Sequence, residues 1–511
     1  MRRCLALLLC LLSAPALAEP VQVRPVGGFN GPLAAAVFAT ALAFMAPRTL
    51  EPIPLDRLTL WGLRGLTALD PGLTPAVTRR RLVLSAPGRI LFVASAPGAN
   101  DPAGWGSDAA EMAEAAWQAS AAVRAGGTQG VVTSFFDELF NHLDPYSRYT
   151  PPAAAARDRL DRSGRAGAGF SVVVREGRAV VGRVVPGGPA AALGITPGMR
   201  VLAVNGEPML GAAAARVAAR LQGPAGSRLM LRLESPAGAV RTLLLTRARV
   251  PPPTVFAHRE GTLLTLRITG FSGDTARLLA AALRRGIEGD HPPAGVVLDL
   301  RDNRGGLLVQ AVRAAAALVP HGVLAVTAGR DPYATHVWRA DGQDLAAGLP
   351  VVVLVDGRTA SAAEVLAAAL ADHRRAVVVG SETLGKGLVQ TVTPLPDGGE
   401  LFVTWSRVLA PLGWPLQGLG VMPQVCTSLD AGAFTREIAR LQRGIAPMAK
   451  PVAEARAARA PLPLALILAI RSLCPAALGT ARDAETARFL IDTPRAYQAA
   501  LLPAPPAGGA R

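Results

Sequence analysis

The spacing of apolar and polar positions changes along the chain and divides it into segments. From Gly31 to about Thr150, apolar residues recur at helical spacing, which predicts a mostly helical region. The stretch 153–166 is polar and rich in arginine and alanine, and it predicts a linker. Between glycine and proline turns, short β-forming runs follow together with a helical stretch at 209–221; the runs span 170–174, 179–185, 200–204, 228–233 and 241–246. This pattern is typical of a compact β-rich module.

After Pro251-Pro252-Pro253, strands and helices alternate. The predicted strands are 263–268, 296–300 and 351–355, and the predicted helices are 274–286, 307–319 and 362–373. Such alternation predicts a layered α/β domain with functional sites at strand ends. A further strand is predicted at 401–409, and beyond Ser428 the chain predicts helices and Pro/Ala-rich loops. The fold class is therefore a multidomain α/β (α+β) protein with helical N- and C-terminal extensions.

The first residues have the layout of a secretory signal peptide. Met1-Arg2-Arg3 is basic, Leu5 to Leu12 is apolar, and Ala16-Leu17-Ala18 is a small-x-small cleavage site. We expect cleavage before Glu19 and a secreted or periplasmic mature protein. The expected divisions are a signal peptide at 1–18, a helical region at 19–160, the β-rich module at 161–250, the α/β core at 251–428 and a helical extension at 429–511.

Composition and charge narrow the classes of partner. Half of the residues are hydrophobic, and no apolar run after the signal approaches the roughly 20 residues that cross a bilayer. The formal charge is +16, but the arginines are scattered among acids and are not interleaved with aromatics. A solvated basic surface is favoured over a nucleic-acid site. Weak attraction to anionic membrane surfaces or acidic clients stays open.

Of four cysteines, Cys4 and Cys10 belong to the signal. Cys426 and Cys474 remain as the one pair available for a disulfide in an oxidising compartment. Two buried free thiols are the alternative.

Lysine usage draws attention to one position. The 53 basic residues include only two lysines, Lys386 and Lys450, so the other 51 are arginines. An ammonium loses its proton when buried, whereas a guanidinium does not, so a lysine kept in such a chain suggests a role for the neutral amine. The alternative is a chance surface residue, which is how we interpret Lys450.

Three loops of the α/β domain carry candidate chemistry. Asp299 to Gly306 follows a buried strand, and its paired glycines allow backbone amides to converge on an oxyanion. Thr359 to Glu364 precedes a helix, where Ser361 and Glu364 have capping-box spacing. The cap alone explains that spacing, yet a serine at a helix N-terminus is also placed to act as a nucleophile.

In the third loop, Gln390 follows Lys386 by four residues. A hydroxyl, an unprotonated lysine and an orienting amide form the Ser-Lys version of nucleophile, base and orienter. Lysine acts as a base only if its pKa falls from about 10.4 toward neutrality, which burial promotes.

The β-rich module resembles a PDZ domain. The resemblance is carried by Gly167-Ala168-Gly169-Phe170, Gly187-Gly188-Pro189-Ala190, the turn 194–198 and Asn205-Gly206. It implies that the amides of the 167–170 loop bind a peptide's terminal carboxylate while the peptide adds as a strand. The alternative is a β module without a ligand.

With that module in front of them, the segments 299–306, 360–364 and 385–390 resemble the carboxyl-terminal processing peptidases, or tail-specific proteases. Leu143 to Tyr149 and Gly420 to Pro423 match further motifs of that family. The resemblance implies Ser361 as nucleophile, Lys386 as general base and Gln390 as the residue that positions the lysine. It implies oxyanion donors at Ala362 and at Gly305 or Gly306. No metal or cofactor is implied, because the six histidines show no paired ligand spacing. Arg304 and Gln424 depart from the family's proline and aspartate.

The resemblance thus predicts a serine endopeptidase acting on proteins or peptides with apolar C-termini. Two alternatives remain. A Ser-His-Asp hydrolase is disfavoured because no Gly-x-Ser-x-Gly surrounds Ser361 and His373 lies about three helical turns away. A non-catalytic peptide-binding adaptor is disfavoured because all three reacting side chains are present. The oligomeric state stays open.

Overall fold

The computed structural model describes residues 28–163, 165–185, 187–251, 253–288 and 291–503. The predicted signal peptide lies outside these residues. Within the described part of the chain, no helix combines the length and apolar character needed to cross a membrane.

The N-terminal region is mostly helical, and it packs around an aromatic cluster in which Phe38 stacks on Phe135 with ring centroids 4.2 Å apart. Its elements are α1 (Gly31–Met45), α2 (Leu55–Leu63), α3 (Gly65–Leu69), β1 (Thr74–Thr78), β2 (Arg81–Ala86), β3 (Arg89–Ser95), α4 (Pro102–Ala119), α5 (Ala121–Phe140), β4 (Arg148–Thr150) and α6 (Pro152–Ser163). Strands β1 to β3 form an antiparallel sheet that the helical pattern did not predict. The predicted linker at 153–166 is mostly helix α6, because alanine favours helix and proline suits a first turn.

The β-rich module forms an antiparallel sheet in the order β11-β10-β8-β7-β6. Its elements are β5 (Arg165–Gly167), β6 (Phe170–Arg175), β7 (Arg178–Val184), α7 (Pro189–Ala192), β8 (Arg200–Val204), β9 (Glu207–Pro208), α8 (Ala214–Leu221), β10 (Arg228–Glu234), β11 (Val240–Thr246) and β12 (Ala248–Val250). Among the described strands, β6 lies at an edge of this sheet, beside α8. Where the chain enters and leaves the module, β5 pairs with β12.

Within its described residues, the α/β core contains two sheets. Its elements are β13 (Val255–Glu260), β14 (Leu263–Ile268), α9 (Thr275–Ile287), β15 (Gly295–Asp299), α10 (Leu308–Ala316), β16 (Gly322–Gly329), a 3-10 turn (Pro332–Ala334), β17 (His336–Ala340), β18 (Val351–Val355), α11 (Ala362–Asp372), β19 (Val377–Gly380), β20 (Leu388–Pro394), β21 (Glu400–Leu409) and β22 (Val425–Cys426). The first sheet has the order β13-β14-β15-β18-β19-β22 and is parallel from β14 onward. The second has the order β17-β16-β21-β20, with β4 joined to β21.

Helix α11 is the buried centre of this core. Its residues from Ala362 to Ala371 are all buried, and the apolar ones share one cluster with both sheets. Burying an aliphatic side chain such as Leu366 contributes about 1.5–3 kcal/mol, so the helix and the residue before it are held firmly.

The C-terminal extension packs against the core as α12 (Ala431–Gln442), α13 (Ala449–Ala457), α14 (Leu464–Arg471), α15 (Ala481–Asp492) and α16 (Pro494–Ala500). Cys426 and Cys474 form a disulfide with a Cα–Cα distance of 5.8 Å. The predicted pairing is therefore present, and it ties the extension to the end of the core.

Candidate active site

The three candidate loops meet at one edge of the parallel sheet. They follow β15, β18 and β19, which are neighbours in the sheet, so their carboxyl ends lie side by side. The loops are also joined to each other: the Ala360 amide donates to Asn303 O over 2.9 Å, and the Leu384 amide donates to Thr359 O over 3.0 Å. The strand-end position is where open α/β sheets place their binding sites.

Ser361 stands at the N-terminus of α11 with a φ of 56° and a ψ of −120°. This left-handed region is unfavourable for a residue with a Cβ, and surrounding contacts must hold it there. The side chain of Glu364 reaches back and accepts from the Ser361 amide over 2.7 Å, as expected for the glutamate of a capping box.

Glu364 does more than cap the helix. Its carboxylate is fully buried and also accepts from the amides of Gly385 and Lys386, over 2.7 and 2.9 Å, and from the Thr383 hydroxyl. Burial raises the pKa of Glu364, while these hydrogen bonds oppose the rise. One side chain thus fixes both the loop that carries Ser361 (359–364, the serine loop) and the loop that carries Lys386 (383–387, the lysine loop). From the sequence, Glu364 was predicted only to cap the helix.

Lys386 is partly buried, and its Nζ lies 4.6 Å from the ring centroid of Tyr146. Burial lowers the pKa of Lys386, and the nearby charge of Arg148 lowers it further, against the opposing effect of Asp144 and Glu364. A lowered pKa increases the fraction of neutral amine near neutral pH.

Gln390 lies on β20, and its Nε2 donates to Thr404 Oγ1 over 3.0 Å and to Leu388 O over 3.3 Å. It lines the same cavity as Lys386 and Ser361. The hydrogen bonds of the described residues include none between Gln390 and Lys386, and none between Ser361 Oγ and Lys386 Nζ. Catalytic hydrogen bonds are commonly long before substrate binds, and the three side chains already line one cavity.

The segment Leu143 to Tyr149 brings further residues to the site. Asp144 accepts from the hydroxyls of Ser147 and Thr404 over 2.6 and 2.7 Å, which fixes the segment against β21. Tyr146 and Arg148 are thereby placed beside Lys386. The resemblance noted for this segment predicted no role for its residues; the run of polar residues after a helix was the available signal.

The paired glycines have different surroundings. The Gly305 amide donates to Asn303 Oδ1 over 2.9 Å, whereas Gly306 lines the cavity together with Ala362. In the described residues, the amides of Gly306 and Ala362 have no protein acceptor. A Cβ on Gly306 would lie 2.3 Å from the Phe271 carbonyl oxygen, so the close approach of the two backbones requires glycine.

The two departures from the family pattern differ in position. Arg304 lines the cavity with an exposed side chain, 3.6 Å from Asp302. Gln424 is buried away from the site, and its Oε1 accepts from the Val378 amide over 2.8 Å.

These elements enclose a cavity of about 540 Å³. It is lined by side chains and backbone of Arg148, Thr254, Gly270, Phe271, Ser272, Arg304, Gly306, Leu307, Leu308, Ser361, Ala362, Val365, Lys386, Leu388, Val389, Gln390, Val392, Phe402 and Val408. A mostly apolar cleft with a few polar groups suits an extended peptide. His373 lies at the other end of α11, with Nε2 2.7 Å from Val323 O, so it does not support a histidine-based alternative.

A second groove, of about 350 Å³, runs between β6 and α8 in the β-rich module. The predicted carboxylate-binding residues Gly167, Ala168, Gly169 and Phe170 line it, together with Val172, Ala218 and Leu221. An edge strand beside a helix is the arrangement that accepts a peptide as an added strand.

Comparison with known sequences places these features in a family. The model for peptidase family S41 matches residues 262–427, and a PDZ domain model matches 180–235. The carboxy-terminal-processing protease of Bartonella bacilliformis is 31% identical over 304 residues, which cover 58% of this chain and 69% of that protein. The chloroplastic C-terminal processing peptidase of Tetradesmus obliquus is 33% identical over 55% of this chain and 64% of its own length. The solved structure of a photosystem II D1 C-terminal processing protease is 28% identical and covers 72% of this chain and 92% of its own, with a TM-score of 0.35.

Proposed function

The chain belongs to the carboxy-terminal processing proteases, serine-type peptidases of family S41, and we propose that it is an exported endopeptidase that selects clients by their C-terminus. The observation that carries this proposal is the cavity that gathers Ser361, Lys386 and the amides of Gly306 and Ala362. These groups supply a nucleophile, a base of lowered pKa and oxyanion donors.

In the proposed reaction, Ser361 Oγ attacks a peptide carbonyl carbon while its proton passes to the neutral amine of Lys386. The amides of Gly306 and Ala362 stabilise the oxyanion, and the lysine ammonium then protonates the leaving amine. A water molecule attacks the acyl-enzyme and gives a proton to Lys386, and the lysine ammonium returns a proton to Ser361 Oγ as the ester breaks. Gln390 positions the lysine once substrate closes the site. Gly305, whose amide already donates to Asn303, shapes the loop.

The groove between β6 and α8 is the proposed capture site for the client's C-terminus. The amides of the 167–170 loop bind the terminal carboxylate, and apolar walls such as Val172 and Leu221 bind small apolar side chains. The sequence divisions 161–250 and 251–428 then correspond to capture and cleavage, with 19–160 and 429–511 as supporting extensions. We place the protein in a secreted or periplasmic location, which the Cys426–Cys474 disulfide supports because such bonds persist in oxidising compartments.

Mass spectrometry of products tests the proposal. Purified protein and its Ser361→Ala variant are each incubated with a peptide ending in small apolar residues, called the tailed peptide below. Each is also incubated with the same peptide amidated at its C-terminus. We expect cleavage by the unmodified protein alone, slower for the amidated peptide. Equal cleavage by both proteins, or none, would reject the peptidase and leave a peptide-binding adaptor.

A further inference from the structure

Arg471, at the end of α14, contacts the catalytic region from outside the matched peptidase segment. Its Nη1 donates to Leu419 O over 2.8 Å and to Gly418 O over 3.2 Å, and its Nη2 donates to Thr383 O over 2.8 Å. An arginine fork suits several acceptors at once, because its donors are held in one plane.

The carbonyls that Arg471 binds belong to the segments that hold the lysine loop. Thr383 begins this loop, which runs from 383 to 387, and its hydroxyl donates to Glu364. On the opposite side, the Gly418 amide donates to Gly385 O over 2.9 Å. Arg471 therefore bridges the start of the lysine loop and the segment that covers it.

Two further hydrogen bonds join residues 417–421 to the lysine loop. Gln417 Oε1 accepts from the Gly387 amide over 3.0 Å, directly after the lysine. The Val421 amide donates to Thr383 Oγ1 over 2.8 Å. The lysine loop is thus held at both ends by residues 417–421, and Arg471 is the side chain that anchors those residues to Thr383.

Arg471 is itself fixed in place. Ile470 beside it is buried, and Cys474, three residues on, is bonded to Cys426 at the end of the core. The side chain of Arg471 is only 21% exposed, and the nearest carboxylate, Glu382, lies 4.0 Å from its Nη1. Backbone carbonyls are therefore its closest partners.

We propose that Arg471 is a positioning residue for peptide hydrolysis: it holds the 383–387 loop so that the amine of Lys386 stays inside the cavity. This inference rests on the proposed role of Lys386 as base. It gives the C-terminal extension a function in catalysis in addition to its packing against the core.

Replacing Arg471 with methionine keeps an unbranched apolar stem and removes the donors. Without these hydrogen bonds, the loop becomes more mobile and the amine of Lys386 becomes more exposed to water, so the pKa of Lys386 rises. We expect the acid limb of kcat/KM to move to higher pH by about half a unit or more, and kcat at neutral pH to fall about tenfold, with KM little changed. Arg471→Lys, which still reaches one carbonyl, restores part of the loss.

The lysine content allows a readout that does not depend on activity. With only Lys386 and Lys450 in the chain, protein labelled with ¹³C at lysine Cε gives two lysine signals whose titration by NMR reports each pKa. Lys450 is 88% exposed at its side chain and serves as the internal reference. We expect Arg471→Met to raise the pKa of Lys386 alone.

Arg459→Met is the matched control. Arg459 lies in the same extension and also donates to three carbonyls, those of Arg456, Ala458 and Leu412, but not to the lysine loop. An unchanged Lys386 pKa in Arg471→Met, or an equal shift in Arg459→Met, would overturn the inference. If the pKa shifts as expected but the unmodified protein cleaves no tailed peptide, the proposed function falls and the control of Lys386 by Arg471 stands.

Discussion

Glu364 and Lys386 are joined by a hydrogen bond in which the lysine's backbone amide donates to Glu364 Oε2 over 2.9 Å. The same oxygen accepts from the Ser361 amide over 2.7 Å. The backbone amides of the proposed nucleophile and the proposed base therefore donate to the same buried oxygen atom. A small movement of this carboxylate changes the distance between the two reacting side chains, which catalysis tolerates poorly.

Glu364→Gln tests this relationship. The amide group replaces one acceptor oxygen with a donor, so some backbone amides of the two loops face another donor in a buried position, which costs about 1–3 kcal/mol. We expect kcat to fall about 100-fold, measured with a fluorogenic tailed peptide, because the geometry of Ser361 and Lys386 is lost.

Glu437→Gln is the control for that substitution. Glu437 is also a buried glutamate that accepts from a backbone amide, that of Cys426, but it lies on α12 away from the cavity. Its replacement leaves kcat per folded molecule unchanged. If Glu364→Gln retained full kcat, the carboxylate would not set the catalytic geometry.

Lys386→Arg separates a base from a mere positive charge. Arginine stays protonated at any working pH and cannot accept the serine proton. General-base catalysis contributes about 10²–10⁴-fold, so we expect kcat/KM to fall by at least that range. Lys450→Arg, at the other lysine of the chain, changes nothing, since its side chain is exposed. Substantial activity in Lys386→Arg would reject the lysine as base.

The pH dependence of kcat/KM follows from the pKa of Lys386. The base must be neutral, and burial together with Arg148 lowers the pKa of Lys386 from its ordinary value. Activity therefore rises with pH and reaches its plateau below the range expected for an exposed lysine, whose pKa is about 10.4. An acid-limb inflection at or above the ordinary lysine value would contradict this environment.

Ala218→Glu tests the capture groove. The substitution places a bulky carboxylate in an apolar wall near the loop proposed to bind the client's own carboxylate. Steric block and like-charge repulsion raise KM for a tailed peptide about tenfold or more, while kcat at saturation changes little. Steady-state kinetics over a range of tailed and amidated peptide concentrations give the kcat and KM of each variant.

The neighbouring Ala219→Glu is its control, because Ala219 is exposed on the same helix and does not line the groove. If both variants raise KM equally, the effect comes from surface charge and the groove is not the capture site. If Ala218→Glu impairs cleavage of tailed and amidated peptides alike, the terminal carboxylate is not what the groove binds.

Local patterns predicted much of this protein. Ser361 lies where a buried strand gives way to an alanine-rich helix, and Lys386 lies in a glycine-flanked loop, so local patterns were enough to single out both as candidate residues. The predicted strands 263–268, 296–300, 351–355 and 401–409 match β14, β15, β18 and β21 within about one residue, whereas β19 and β20, which flank the lysine loop, were not predicted.

Long-range relations were not predictable. Tyr146 reaches Lys386 across the sequence, and the hydrogen bond that joins Asp144 to Thr404 spans 260 residues. The difference between Gly305 and Gly306 depends on which amide the Asn303 side chain occupies. No periodicity encodes such contacts. Strands β16 and β17 were not predicted either, and a register shift interrupts their pairing.

Glu437 gives the fold a pH dependence of its own. Burial raises the pKa of Glu437 from 4.5 to about 7, although the hydrogen bond from the Cys426 amide opposes the rise. The folded protein therefore holds a proton that the unfolded chain releases above about pH 4.5. This contribution to stability is fully present below that pH, is lost as pH rises from about 4.5 to about 7, and amounts to about 3 kcal/mol. Glutamine stays neutral at every pH, so Glu437→Gln removes this dependence of folding stability on pH. Urea unfolding of both proteins at pH 5 and pH 8 measures it, and an equal loss of stability between the two pH values in both would show that Glu437 does not hold the proton.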